Sequence, residues 1–180
     1  MASLTKGECL IAAMIAHQGP EKAREWVSGL KANLARTPQG NDRAQVKAVW
    51  AGECDIAIGN TYYMGKMLEE PEQRAWADSV NVVFPVFEGG GAHVNISGAA
   101  VTKSAPNRDG AMKLVAFMLS EQAQELYAEL NFEYPVRAGV APSALVASWG
   151  DFQADTIPLT QIGELRGEAL KIVEETGFDN

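Results

Sequence analysis

Apolar residues recur along the chain with two spacings, and each spacing predicts a type of secondary structure. A spacing of three and four residues predicts helices over 8–17, 20–34, 41–52, 61–69, 71–79, 107–118, 120–130 and 159–176. Pro20, Asn41 or Asp42, and Ser120 stand where helices are expected to start. The apolar run 80–87, rich in β-branched residues, predicts a buried strand, and further strands are predicted at 55–59, 93–102 and 132–136. Strands alternating with helices, without an internal repeat, predict an α/β domain.

Size and charge narrow the classes of function. With 180 residues, of which 47% are hydrophobic, the chain can bury a core in one or two compact units. The net charge of −8 argues against binding to nucleic acid or to an anionic membrane surface. Cys9 and Cys54 do not make a disulfide framework; they either form one bridge or stay reduced.

No membrane span and no zinc motif is predicted. Apolar runs stay below the ~18 residues that a spanning helix needs. The apolar run 9–16 follows Lys6 as a signal-peptide core would, but it continues into an amphipathic helix without a small-residue cleavage site, so we expect no signal peptide in this sequence. The two histidines, His17 and His93, have no zinc-ligand spacing and are predicted to be structural.

Two adjacent tyrosines, Tyr62 and Tyr63, stand where the strand 55–59 gives way to a helix. Such junctions are common ligand sites in α/β proteins. Free tyrosine has a pKa near ~10, so two phenolates at neutral pH require a strong Lewis acid. Ferric iron fits, because hard oxygen donors suit a highly charged cation. The alternative is a packing role, with one ring in the core and one at the surface.

The geometry of the junction decides whether both phenols can reach one ion. Successive side chains on a helix diverge by about 100°. If both phenols bind one ion, the pair must lie at the N-terminus of the helix, with Thr61 as the N-cap and the first tyrosine not yet helical. The helix N-terminus would lower the tyrosine pKa values and attract a small anion. Asn60 could bind that anion, orient a phenol or stabilise the turn. Residues 39–41 stand at the start of another predicted helix and are a weaker candidate anion site.

The run 50–63 resembles the corresponding stretch of the periplasmic ferric-iron-binding proteins of ABC importers. The resemblance continues through 92–101, 105–108, 120–124 and 133–136, and extends from about Leu10 to the C-terminus. It implies that Tyr62 and Tyr63 are iron ligands. It also implies a solute-binding protein, not an enzyme. The implied fold is α/β: a lobe of the type II periplasmic-binding-protein class, with a mixed sheet flanked by helices.

The resemblance also implies a division of the chain. Relatives are nearly twice as long and form two lobes, so most of the first lobe is missing here. Residues 1–92 and 132–180 correspond to the iron-site (C-terminal) lobe, and 93–131 correspond to a segment of the other lobe. A helix over 111–118 would then expose Leu114, Val115, Phe117 and Met118. Such a face favours a homodimer or a rearrangement of this segment.

Further expectations concern the ligands and partners. The resemblance implies Fe3+ as the bound ion, with a synergistic anion such as carbonate, citrate or phosphate. It implies a periplasmic location for the family and an ABC-importer permease as the partner of full-length relatives. Many relatives have a third tyrosine before the first helix, and counting back from Leu10 places Lys6 at that position. The iron site of this chain is therefore expected to be incomplete.

Two other functions remain open from the residues. One is a lobe that binds no metal and self-associates through the vacated surface between the lobes. The other is binding of a small anion or an organic solute. Catalysis has no support, because no Ser/His/Asp or Cys/His arrangement occurs in a recognisable motif.

Overall fold

Helices dominate the computed structural model, which describes residues 7–178. The helices in this range are α1 (Gly7–Gln18), α2 (Pro20–Ala32), α3 (Asp42–Trp50), α4 (Tyr62–Glu69), α5 (Arg74–Ala77), α6 (Arg108–Met118), α7 (Glu121–Asn131), α8 (Ala144–Ala147) and α9 (Leu159–Thr176). The predicted helices agree within a few residues, except that the one expected over 71–79 is only the single turn of α5.

Local residues account for the starts of α2, α3 and α7. The Asn41 side chain accepts a hydrogen bond from the Ala44 N–H at 3.3 Å, and Ser120 Oγ accepts one from the Ala123 N–H at 3.2 Å. Pro20 occupies the first position of α2, where the missing N–H costs nothing. These three predicted helix starts are confirmed.

The main core forms between α1, α2 and α9, the first, second and last helices of the described chain. Its largest buried aliphatic side chains are Ile11, Ile15, Val27, Ile162, Ile172 and Val173. The Arg166 guanidinium ties α9 to α1 by donating to the Glu8 carboxylate at 2.6 Å. This core brings the two ends of the described chain together.

A second, smaller cluster lies between α3, α4 and α5. Met64, Met67 and Ala77 are buried in it, and Trp76 and Trp149 pack against them. It fixes one face of α4, the helix that begins with the tyrosine pair. The position of that pair therefore depends on packing in this cluster.

The structure does not confirm the predicted mixed sheet. Within residues 7–178 the only β-pairings are isolated bridges, Val86 with Ala92 (antiparallel) and Ala92 with Ala154 (parallel). A strand needs the N–H and C=O groups of a neighbour, and the segments 55–59 and 93–102 find no neighbouring strand in the described chain. Their apolar side chains stay in solvent, as in Ile56, which is 83% exposed. The predicted strand 132–136 instead begins with Phe132 in the left-handed conformation (φ 58°).

Helix α6 has no buried residue. Leu114 is 60% exposed and Phe117 is 47% exposed, which confirms the exposure predicted for them. Val115 and Met118 are only partly exposed. One long face of this helix therefore remains uncovered by the described residues.

Neither cysteine forms a disulfide, since Cys9 and Cys54 are both free. This resolves the two alternatives in favour of reduced thiols. No helix in the part of the chain covered by the structure combines the length and the apolar character needed to cross a membrane.

Candidate metal centre

The side chains of Tyr62 and Tyr63 converge at the start of α4. Their ring centroids lie 4.5 Å apart, with an angle of 35° between the ring planes. A hydrogen bond joins the two phenols. The first turn forms through the Tyr63 N–H, which donates to the Asn60 carbonyl at 3.2 Å. Two oxygen donors therefore lie side by side at one helix N-terminus.

The local backbone differs from the one predicted for this convergence. Thr61 occupies the N-cap position as expected, but its side chain makes no capping hydrogen bond and its backbone is already helical (φ −59°, ψ −35°). Tyr62 is accordingly the first helical residue, not a residue before the helix. Side-chain rotation, not a break in the backbone, brings the rings together.

Asn60 is held by the carboxylate of Asp42, on the first turn of α3. Asp42 Oδ2 accepts from the Asn60 backbone N–H at 2.8 Å and from Asn60 Nδ2 at 2.7 Å. The Asp42 residue is buried. Asn60 therefore stabilises the turn, which is one of the roles predicted for it. One hydrogen of its side-chain amide is donated to Asp42.

Residues on the first turn of α3 lie beside the tyrosines. The Arg43 guanidinium carbon lies 5.9 Å from the centroid of the Tyr63 ring, within cation–π range. Arg43 also donates to Gln73 Oε1 at 3.1 Å. Gln45 holds the loop that precedes α3 by donating to the Gln39 carbonyl at 2.7 Å. Residues 39–41, the weaker candidate anion site, therefore belong to the loop that leads into α3.

Sequence reasoning missed Asp42 and Arg43 as neighbours of the site. The sequence predicts Asp42 only as a residue at a helix start, and it lies 18 residues before Asn60. No periodicity in the sequence links two positions at that separation. The available signal was the polar run 41–43 at a predicted helix start.

The pKa of the Tyr62 phenol lies above its ordinary value of 10.0. Burial is the main cause; the hydrogen bond with Tyr63 lowers the pKa, whereas the charges of Asp42 and Glu133 raise it. The expectation that the helix N-terminus makes this phenol more acidic is therefore wrong for Tyr62 in the metal-free protein. A bound cation has to supply the charge that expels the proton.

The usual metal-ligating side chains do not cluster elsewhere in the described chain. Residues 7–178 contain no group of three or more His, Cys, Asp and Glu side chains arranged to hold a metal ion. His17 Nε2 donates to the Asp155 carboxylate at 2.9 Å and the His17 ring stacks on Phe87, which is a structural contact. The prediction about Lys6 lies outside the described residues.

A cavity of about 260 Å³ lies apart from the tyrosines. Its lining includes His93, Tyr134 and Asp155 among apolar side chains. His93 Nε2 and the Tyr134 hydroxyl are buried there and find no hydrogen-bond partner among the described residues. Burial lowers the pKa of His93, and the nearby Asp155 charge offsets part of that shift.

Comparison with known proteins shows which proteins this chain resembles. Residues 6–154 match the family model described as bacterial extracellular solute-binding protein. The chain is 47% identical over 173 residues to Iron uptake protein A1 of Synechocystis sp., an alignment that covers 95% of this chain and 48% of that protein. The chain thus spans about half the length of the curated relatives it matches.

Solved structures show the same fold. The apo ferric ion-binding protein A of Pasteurella haemolytica superposes with a TM-score of 0.95 at 50% identity, over 99% of this chain and 57% of that one. A Trichodesmium protein (IdiA, FutA), solved in complex with iron and citrate ligands, superposes with a TM-score of 0.87 at 41% identity, over 95% of this chain and 55% of that one. The conformation described above is therefore that of part of a ferric-binding-protein fold.

Proposed function

Because the chain belongs to the family of bacterial extracellular solute-binding proteins, we propose that its solute is ferric iron, bound through the phenolate oxygens of Tyr62 and Tyr63. The observation that carries the proposal is the convergence of the two phenols at the start of α4. Relatives named for iron uptake and ferric-iron binding support the choice of ion. The proposed activity is binding and delivery, without catalysis.

The chemistry of the pair suits a ferric ion. Each phenol must lose its proton, and a trivalent cation stabilises the two resulting negative charges at short range. Two phenolates leave most of an octahedral ferric site to other donors. We propose a synergistic anion there, such as carbonate, citrate or phosphate, attracted by the N-terminus of α4 and by the Arg43 guanidinium. The remaining N–H of the Asn60 amide group is the proposed further contact to that anion.

The site in this chain is proposed to be incomplete. The resemblance implies a tyrosine ligand at the position of Lys6, and a charged lysine in its place would repel the ion instead of binding it. The proposed division places 1–92 and 132–180 in the iron-site lobe and 93–131 in a segment of the other lobe. The proposed setting is outside the cytoplasm, where the complete protein passes iron to the permease of an ABC importer.

The test is a titration with ferric citrate followed in the visible region. The wild-type chain should develop a tyrosinate-to-iron charge-transfer band, and the double variant Tyr62→Phe, Tyr63→Phe should develop none. Tyr127→Phe, which removes a phenol on α7, is the matched control and should keep the band. A wild-type sample that stays colourless with excess ferric salt refutes the proposal for this chain.

The uncovered face of α6 supports a second candidate function, self-association without metal. Exposed Leu114 and Phe117 offer an apolar surface of the kind that favours association. On this proposal two chains pair through α6 whether or not iron is present. Sedimentation with and without ferric citrate separates the two candidates, since a metal-independent dimer with no bound iron supports only the second.

A further inference from the structure

The carboxylate of Asp42 anchors the segment that leads into the tyrosine pair. A single oxygen, Oδ2, accepts both hydrogen bonds from Asn60, one from the backbone and one from the side chain. Hydrogen bonds to a charged acceptor are stronger than those between neutral groups. The preceding residue approaches closely as well, since a Cβ at Gly59 would lie 3.4 Å from the same oxygen.

Asn60 links Asp42 to the start of α4. Its carbonyl accepts the Tyr63 N–H at 3.2 Å, the first hydrogen bond of the turn that carries both phenols. The side chain and the backbone N–H of Asn60 are therefore held by Asp42 on α3, and its C=O accepts the first hydrogen bond of α4. A displacement of Asn60 moves the backbone from which the two tyrosine side chains project.

Asp42 is buried at the start of a capped helix, and the described residues form no ion pair with it. It lies on the first turn of α3, which Asn41 caps, and it is buried. Among residues 7–178, no Lys, Arg or His side chain forms an ion pair with it. Asp42 therefore accepts two N–H groups of Asn60, and its negative charge lies outside the ion pairs formed among the described residues.

We propose that Asp42 is a positioning residue for the ferric site: its hydrogen bonds to Asn60 set the start of α4 and so hold the Tyr62 and Tyr63 phenols side by side. This rests on the proposed function, in which these two residues bind the ion. A carboxylate oxygen can only accept, so Asp42 also fixes the Asn60 amide with its nitrogen toward α3 and its oxygen away. An asparagine at position 42 can supply an accepting oxygen, whereas an alanine cannot.

The first test compares the ferric affinity of three variants by visible titration with ferric citrate. Asp42→Ala should weaken binding about 10- to 100-fold, the usual effect of removing a group that orients a metal ligand. Asp42→Asn should stay within about threefold of wild type, because the acceptor is restored. Asp109→Ala is the matched control: it removes an acidic residue from the first turn of α6, a different helix from α3 and α4, and should leave affinity unchanged. Equal affinity of Asp42→Ala and wild type overturns the proposal, as does equal damage by Asp42→Asn.

The second test needs no iron and separates this proposal from the proposed function. Rings 4.5 Å apart shift each other's NMR signals, so the ring resonances of Tyr62 and Tyr63 report their separation in the metal-free protein. Asp42→Ala should move these resonances toward the values of isolated tyrosines, and Asp42→Asn and Asp109→Ala should not. If Asp42→Ala does not fold, Asp42→Ser replaces it, since serine keeps a small polar side chain on the first turn of α3 but its hydroxyl is too short to reach Asn60. Unchanged Tyr62 and Tyr63 resonances in the folded disrupting variant overturn the positioning role even where wild type binds iron.

Discussion

The ring of Phe132 lies directly against the Cα of Gly65, so that a β-carbon at position 65 would be 2.1 Å from Cγ of Phe132. Phe132 ends α7 in the left-handed conformation and is buried. Gly65 is in α4, three residues after Tyr62. The absence of a side chain at Gly65 therefore permits α4 to pack against the end of α7, and this contact sets the orientation of the helix that begins with the tyrosine pair.

Gly65→Ala should destabilise the protein. Overpacking of this kind costs about 1–3 kcal/mol, while the better helix propensity of alanine returns at most about 1 kcal/mol. The matched control is Gly163→Ala in α9, where a β-carbon meets nothing within 4 Å and should stabilise the helix. Urea unfolding followed by circular dichroism measures both. A Gly65→Ala protein as stable as Gly163→Ala would contradict the close contact with Phe132.

Ferric binding should weaken as the pH falls from about 7 to 5, because protons compete with iron for phenolates whose free pKa is near ~10. The pKa of Tyr62 is raised further by burial, so this competition is stronger than for an exposed tyrosine. The visible charge-transfer band should fade together with bound iron, measured by elemental analysis after gel filtration. Undiminished binding at pH 4 by the folded chain would exclude tyrosinate ligation.

Protonation of His93 should make the protein less stable in mild acid. Burial lowers its pKa in the folded state, so below the ordinary value of 6.5 the unfolded chain binds a proton that the folded chain does not. Stability is therefore present at higher pH and declines as the pH falls through this region. His93→Gln should flatten the dependence of the unfolding free energy between pH 7.5 and 5.5. Tyr134→Phe, in the same cavity, removes a polar group that does not titrate there and should keep the wild-type slope.

The uncovered face of α6 should bind the dye ANS and promote association. Replacing Leu114 and Phe117 together by serine should reduce ANS fluorescence and shift sedimentation toward the monomer, because both side chains are exposed. Lys113→Ser, on the same helix, is the control and should change neither. A wild-type chain that remains monomeric at high concentration, with or without iron, would argue against self-association through this face.

Helix positions could be predicted from sequence because their signals are local. Asn41 and Ser120 bond N–H groups three residues away, and Pro20 acts through its own ring, so the sequence near each start contains the cause of the start. The predicted strands failed as a sheet for the opposite reason. Apolar β-branched runs such as 80–87 specify an extended backbone, but pairing requires a neighbouring strand, and the described chain provides only isolated bridges.

For the candidate site, sequence alone determined that two tyrosines stand at the start of a helix in a chain resembling ferric-binding proteins. Tertiary structure decided how they are held. Asp42 reaches Asn60 across 18 residues, and Phe132 packs on Gly65 from another helix. Tertiary structure also reversed the expected pKa shift of Tyr62, since burial and the charges of Asp42 and Glu133 outweigh the hydrogen bond with Tyr63. Such contacts depend on how helices pack in space, and a residue's neighbours in sequence do not specify its neighbours in the fold.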